Sequence, residues 1–344
     1  MAYTTIKKPS DYFNTVIWTG TGSSNAITGV GFQPDWTWIK NRSQAASNHR
    51  ITDAVRGVTK EIYSDLTASE GTNTDGLTAF GSDGFTVGSS ADYNGNGNNM
   101  VSWNWLGANG TASNTNGSIT STVSANTTSG FSIVKYTGTG ANATVGHGLG
   151  VAPKMIIGKG LDNAINWTVG GSNISSNWTS SLALNSTGAV NVANYWQDQA
   201  PNTNTFALSS DIGVNANGLD FIAYCFAEKK GFSKFGSYTG NGNADGTFVY
   251  TGFKPAFVML KVSSTTNDWI ILDNKRDTFN VATKKLLPNV SNAESSDSGV
   301  STDFLSNGFK FRTSGNNVNV SGGTYIYMAF ADEPLVGDNP CTAR

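Results

Sequence analysis

A chain of 344 residues with 22 Lys and Arg, 24 Asp and Glu and a net charge of -2 has only 13% charged residues, about half the usual share of roughly 25%. Gly, Ser, Thr and Asn take up the difference, so the surface is neutral and hydrogen-bonding, and the lack of a basic stripe excludes duplex nucleic acid as a natural partner. No apolar run is long enough to span a membrane as a helix, and Met1 to Pro9 lacks the apolar stretch of a secretory signal.

Residues 1–12 read as an N-terminal docking segment. Val16-Ile17-Trp18-Thr19-Gly20-Thr21-Gly22 then opens a pattern that returns as Val134-Lys135-Tyr136-Thr137-Gly138-Thr139-Gly140. It returns again, more loosely, as Gly236-Ser237-Tyr238-Thr239-Gly240-Asn241-Gly242. Spacings of 118 and 102 residues exceed solenoid and propeller periods and match whole small domains. Later landmarks recur at near-constant distance. Pro34, Pro153 and Pro255 fall 15, 16 and 16 residues after the first threonine. Lys40, Lys159 and Lys261 each stand six residues past that proline. The last aromatics of the closing segments, Trp105, Phe226 and Phe330, lie 71, 73 and 75 residues past it.

Each proline suits the start of a strand, because it has no N–H to give to a ladder. Trp36 and Trp38, Met155 and Ile157, and Phe257 and Met259 then share one face, as residues two apart do in a strand. The lysines share that parity, and their stems are expected to run along apolar surface with the ammonium in water; a catalytic lysine is the sharper alternative. Each closing segment sets bulk (Val101, Trp103, Trp105; Ile222, Tyr224, Phe226; Ile326, Met328, Phe330) against mostly small residues such as Ser102, Ala223 and Ala329. That pattern predicts a central sandwich strand. Asp83-Gly84 and Asn307-Gly308 predict hairpin turns between apolar runs.

The predicted fold class is all-β, with three tandem antiparallel β-sandwiches of jelly-roll or lectin-like type. They occupy 13–106, 131–228 and 229–334, with a Ser/Thr/Asn/Gly linker over 107–130 and a C-terminal tail over 335–344. The linker reads as a flexible connector or an extended spacer.

Chemistry-bearing motifs are sparse. The two histidines, His49 and His147, have no second ligand at metal spacing. No nucleophile elbow or P-loop occurs. The loops Asp92 to Asn99 and Asn241 to Asp245 offer oxygen ligands for calcium but fit turn chemistry better. Asp53 with Arg56 and Asp273 with Arg276 share a spacing that suggests a structural ion pair, lost in the second copy. Cys225 is expected to be a buried thiol, and a bond to Cys341 is the alternative. No metal, cofactor or catalytic residue is expected. Tyr195-Trp196 stands out in a polar stretch beside Gln197 and Asp198. An exposed ring with nearby amides and an acid would stack on a sugar and bond its hydroxyls, giving Tyr195, Trp196, Gln197 and Asp198 as a candidate glycan-binding set. The alternative is that one or both rings pack inward.

The stretches KPSDYFNTVIWTGTG (Lys8 to Gly22), GVGFQPDWTWIKNR (Gly29 to Arg42), TDAVRGVTK (Thr52 to Lys60) and FSIVKYTGTGANATVGHGLGVAPKMIIGK (Phe131 to Lys159) resemble a repeated β-rich domain. That domain occurs in tail-fibre-like and other virion structural proteins of marine bacteriophages. The resemblance implies a lectin-like sandwich without catalytic residues, in a virion assembled in the host cytoplasm. It implies other virion proteins and host-surface polysaccharide as partners and, by analogy with fibres, a homotrimer. The expectation is a tail fibre or head-surface fibre that binds glycans non-covalently. A capsid decoration or tail-assembly protein that binds only virion proteins, and a glycan depolymerase, are the alternatives.

Overall fold

The computed structural model describes residues 3–336, and all pairings between its strands are antiparallel. In the first repeat a four-stranded sheet has the order Phe13–Thr19, Asn99–Trp105, Trp36–Asn41, Arg50–Asp53. The third repeats it with Ser233–Thr239, Thr324–Pro334, Phe253–Val262 and Trp269–Asp273. The second has Phe131–Thr137, Asp220–Phe226, Met155–Gly160 and Thr168–Gly171 in the same order. The closing segment is thus a central strand in every copy, as its alternation predicts. Pro255 departs from the strand-start expectation, for it lies inside Phe253–Val262 at a shift of register.

A smaller sheet covers the outer face of each large one. It consists of Asn25–Ile27, Gly84–Val87 and Leu77–Gly81 in the first repeat, and Phe248–Tyr250, Gly308–Phe311 and Thr302–Leu305 in the third. In the second it is the pair Ala143–Gly146 and Thr205–Leu208. The small-residue faces pack here, with Ala223 and Cys225 against Val145 and Phe206, and Ala329 against Phe304 and Phe309. The hairpin loops are Ser82-Asp83 and Ser306-Asn307, while Gly84 and Gly308 begin the following strands. A Cβ on Gly84 would meet the Ile27 carbonyl oxygen at 2.0 Å, and one on Gly308 the Val249 oxygen at 2.1 Å. Close backbone approach therefore requires these glycines more than turn geometry does.

The bulky faces of the three large sheets meet in one core. Trp36, Trp105, Phe131, Tyr224, Phe226, Phe257 and Phe330 belong to a single buried cluster. Trp36 stacks on Tyr224 with ring centres 4.5 Å apart, Phe13 on Phe330 at 5.0 Å, and Phe226 meets Phe330 edge-on at 6.1 Å, so every pair of repeats is in contact. Burying each such side chain contributes about 1.5–3 kcal/mol.

Matched backbone bonds close the ring. Glu70 N–H donates to Leu161 O at 2.7 Å, Val190 to Ser263 O at 2.8 Å, and Glu294 to Arg42 O at 2.9 Å. Trp167 Nε1 donates to Tyr63 O at 2.7 Å and Trp269 Nε1 to Ala183 O at 3.0 Å. His49 takes the equivalent place toward Leu287, without a full hydrogen bond.

One set of seam contacts breaks the symmetry. Asp53 Oδ2 accepts from Tyr224 Oη at 2.8 Å and from Arg56 Nε at 2.5 Å. Asp273 Oδ2 accepts from Trp103 Nε1 at 3.0 Å and from Arg276 Nε at 2.5 Å. Strand register puts Gly171 at the aspartate position of the second repeat and Met328 at the donor position of the third. Ile174 and Val190 stand where the others have arginine (Arg56, Arg276) and glutamate (Glu70, Glu294). The aspartate, arginine, glutamate and aromatic donor are thus absent together from that seam, where Asn173 Nδ2 instead donates to Gly236 O and Tyr327 O at 3.2 and 3.3 Å.

The segment 107–130 is not a free linker. Ala112–Asn114 pairs with Ser121–Asn126, which pairs with Phe131–Thr137 and extends the second repeat's sheet to six strands. Backbone pairing needs no apolar side chain, and Ile119 and Val123 supply enough burial to fix it. At the N-terminus, Ile6 is buried in the shared core and Tyr3 Oη donates to Gly252 O at 2.6 Å. Cys225 is a buried free thiol; Cys341 and most of the tail lie outside the described residues.

Tyr224→Phe strips a buried donor from Asp53 and should lower stability by about 1–3 kcal/mol, whereas Met328→Leu at the apolar seam should cost less than about 1.5 kcal/mol. Urea unfolding at pH 7 compares the two; equal losses would refute the distinction between the seams.

Candidate functional site

The lysines are structural, and their heads are not in water. Lys40, Lys159 and Lys261 are buried, and each ammonium is ringed by carbonyls. Lys40 Nζ donates to Ser47 O at 2.5 Å and across the seam to Ser291 O at 3.1 Å. Lys159 Nζ donates to Gly160 O at 2.9 Å and across to Thr67 O at 3.1 Å, and Lys261 Nζ to Val262 O at 2.6 Å. Strand parity aims them inward, and loops of the same and the neighbouring repeat supply acceptors that water would otherwise provide. Burial lowers all three pKa values to about 8.

Both histidines are buried and hydrogen-bonded within the fold. His49 Nδ1 accepts from Trp38 Nε1 at 3.0 Å, and burial drives its pKa well below the ordinary value. His147 contacts Asn202 O through Nε2 at 3.1 Å and Leu149 N through Nδ1 at 3.2 Å, and burial lowers its pKa too. Asp65 shares a buried corner with His49 and Lys40, and burial raises its pKa to about 6. Register places Asn185 and Asn289 at the matching positions, where each accepts a backbone N–H at 2.9 Å. Asp53–Arg56 and Asp273–Arg276 are the buried ion pairs that their spacing suggests.

The Thr-Gly-x-Gly turns have no amides to spare for a phosphate. Asn94, Asn215 and Asn319 are fully buried, and their Oδ1 atoms accept from Thr21, Thr139 and Asn241 N–H at 3.0, 2.8 and 3.0 Å. Their own carbonyls accept from Gly22, Gly140 and Gly242 N–H at 2.8, 2.8 and 2.9 Å. The sequence signal is an asparagine 11 residues before each last aromatic, which the strand pattern alone does not pick out. The two loops weighed for calcium are tied to the rest of the fold: Asp92 pairs with Arg50, and Asn241 Oδ1 accepts from Asn319 Nδ2 at 2.8 Å. No group of three or more His, Cys, Asp or Glu that could hold a metal occurs among the described residues.

The four candidate glycan residues divide. Trp196 is buried, packs edge-on against Trp178 with centres 5.3 Å apart and donates Nε1 to Ser181 Oγ at 3.0 Å, so it is not a sugar platform. Gln197 adopts φ of +55° and ties two strand ends together, donating to Ala143 O at 3.0 Å and Leu208 O at 2.6 Å. Asp198 is exposed at the same turn. Tyr195 is half-buried and lines a surface depression of about 310 Å³ with Asn166, Asp211, Ile212 and, from the first repeat, Thr67. Burial and the nearby Asp211 raise the Tyr195 pKa. The structure thus keeps one ring of the predicted pair at a surface.

A second aromatic surface escapes the sequence reading. Phe248 and Tyr250 are 43% and 54% exposed on the outer sheet of the third repeat. Thr239 to Val249 is two residues longer than Thr19 to Ile27 or Thr137 to Val145. That insertion hides the correspondence until strand register reveals it.

One family model matches the chain, over residues 8–334: a domain of unknown function, DUF7483. No curated protein matches the sequence. The match runs across all three repeats as one unit, and the chain belongs to the DUF7483 family.

Proposed function

We propose that this chain is a structural protein of a bacteriophage virion, built of three fused sandwich units, and that it serves as a tail fibre or head-surface fibre that attaches to host glycans without cleaving them. The side chains able to act as acids, bases or nucleophiles at repeated positions hold the seams instead, and this carries the non-catalytic conclusion. Lys40, Lys159, Lys261, His49 and the Asp–Arg pairs are all buried and bonded within the ring. The surface left over is neutral and rich in hydroxyls and amides, which suits weak contacts multiplied by many displayed copies. The resemblance of Lys8 to Lys60 and of Phe131 to Lys159 to phage virion domains supports the location. The threefold packing that fibres commonly draw from three chains is supplied here within one.

Purified particles analysed by quantitative mass spectrometry and immunogold labelling should contain the chain at low copy number on an appendage. A copy number near that of the major capsid protein would support a decoration protein instead, and absence from particles would overturn the proposal. Release of reducing sugar from host polysaccharide, lost on changing an acidic residue, would favour a depolymerase.

The internal role of the charged groups has its own test. Asp65→Asn restores the residue used by the other two repeats and removes a buried charge. The folded pKa of Asp65 lies above the unfolded one, so its stabilising effect is complete below about pH 3.8 and is lost as pH rises through about 6. The variant should therefore be more stable at pH 7, by at most about 3 kcal/mol, and equal to wild type near pH 3.5. Thermal melts across pH 3.5–7 read the difference, and an unchanged pH profile would contradict it.

A further inference from the structure

Phe248 and Tyr250 flank Val249, which is buried at 5% exposure, so alternation sends both rings outward from the third repeat's small sheet. Pairing of Ile27 with Phe85, Val145 with Phe206 and Val249 with Phe309 fixes the equivalent positions in the other copies. The first repeat has Ala26 and Thr28 there, and the second has Thr144 and Gly146. The fold is thus built twice without an aromatic at either place.

The surroundings are shaped to the rings. Gly308 lies opposite Tyr250, and a Cβ there would meet Phe248 Cε2 at 3.1 Å, so the Phe248 ring leans over a bare stretch of backbone. Lys310 lies opposite Phe248 and holds Asp245 at 2.6 Å, with Arg312 3.7 Å from the same carboxylate. Asp245 belongs to the two-residue-longer loop of this repeat. Arg312 also bonds Asp303 at 2.5 Å.

The geometry points to this face as a carbohydrate-binding surface for the pyranose rings of a neutral polysaccharide. A pyranose offers an apolar face of C–H groups that stacks on an aromatic ring, and hydroxyls at its rim that both donate and accept. Residues two apart in a strand are about 6.5–7 Å apart, which lets consecutive parts of an extended glycan cover both rings. Lys310 and Asp245 then present a donor and an acceptor side by side. Lys310 and Arg312 are balanced by Asp245 and Asp303, so the face has no net positive charge to hold a phosphodiester backbone and no net charge to repel a neutral sugar. This deepens the attachment reading above and depends on it only for the source of the polysaccharide.

The full chain should be titrated with cellohexaose, maltohexaose and chitohexaose, with saturation-transfer NMR and calorimetry as readouts. At least one should bind, with transfer from phenyl and phenol protons. The double variant Phe248→Ala, Tyr250→Ala should lose about tenfold or more in affinity, about 1.4 kcal/mol, while keeping its thermal melt. Failure of all three sugars to bind would overturn the inference, as would binding that survives the double variant. So would sedimentation showing that wild-type chains associate through this face and the double variant does not. Absence of the chain from particles would remove the virion reading while leaving the sugar-binding result standing, so the two fail separately.

Discussion

Everything in this molecule depends on burying three bulky sheet faces against one another. Trp36, Trp38, Trp103 and Trp105 form most of the inner face of the first repeat, and each is at most 1% exposed. In a repeat on its own they would make an apolar patch of the kind that soluble monomers avoid. The stacking of Trp36 on Tyr224 and of Phe13 on Phe330 is therefore a condition of folding. Cyclic closure also explains why the family model spans 8–334 as one unit. The repeats are the internal subdivision of one core.

The seams show what buried charge does in such a core. Two seams use an aspartate, an arginine and an aromatic donor; the third uses Gly171, Ile174 and Met328. Apolar replacement of a complete buried ion pair is often neutral or stabilising, while loss of one partner is costly. Joint loss of the aspartate, the arginine and the aromatic donor in one seam follows that rule. Conversely, Arg276 and Arg42 both reach Glu294, and although burial alone would raise its pKa these two guanidiniums hold it below the usual carboxylate value. At Glu294 charge is retained with its partners complete, and Asp65, raised by burial, is the exception. The buried lysines obey the same logic with carbonyls as partners, because an ammonium needs acceptors and does not require an anion.

Much of this was legible in the chain. Alternation in Val101, Trp103 and Trp105 and their counterparts gave the central strands and which face is bulky, because period-two burial is a local property. What lies beyond those bulky faces was not legible. A strand pattern says that a face is buried without saying whether it meets its own second sheet or a neighbour's first, so it does not show that the lysine ammonium groups end among buried carbonyls, two of them across a seam. Low apolar content made 107–130 look like a linker, yet strand addition draws on backbone bonds that composition does not report. Trp196 illustrates the same limit at a site: a polar neighbourhood in sequence, Asn194 to Asp198, surrounds a ring that tertiary packing against Trp178 takes inside. Phe248 and Tyr250 were hidden for the opposite reason, because an insertion displaced them from the matching positions.

The backbone frame of the seams is threefold while the outer layers diverge, and that division locates where function can differ. Seam bonds repeat to within about 0.2 Å, from 2.7 to 2.9 Å for the backbone set. The outer layers diverge instead. The first presents small residues such as Ala26 and Thr28. The second is closed over by the stretch from Asn114 to Ser121, where Asn114 fills the space a Cβ on Gly146 would need and Ile119 bridges Val145. The third carries the exposed rings and a longer loop. A shared core cannot accept a change in one copy without disturbing two neighbours, whereas an outer sheet packs only on its own repeat. Recognition is free to evolve on the outer sheets, one repeat at a time, while the inner faces keep all three repeats folded together.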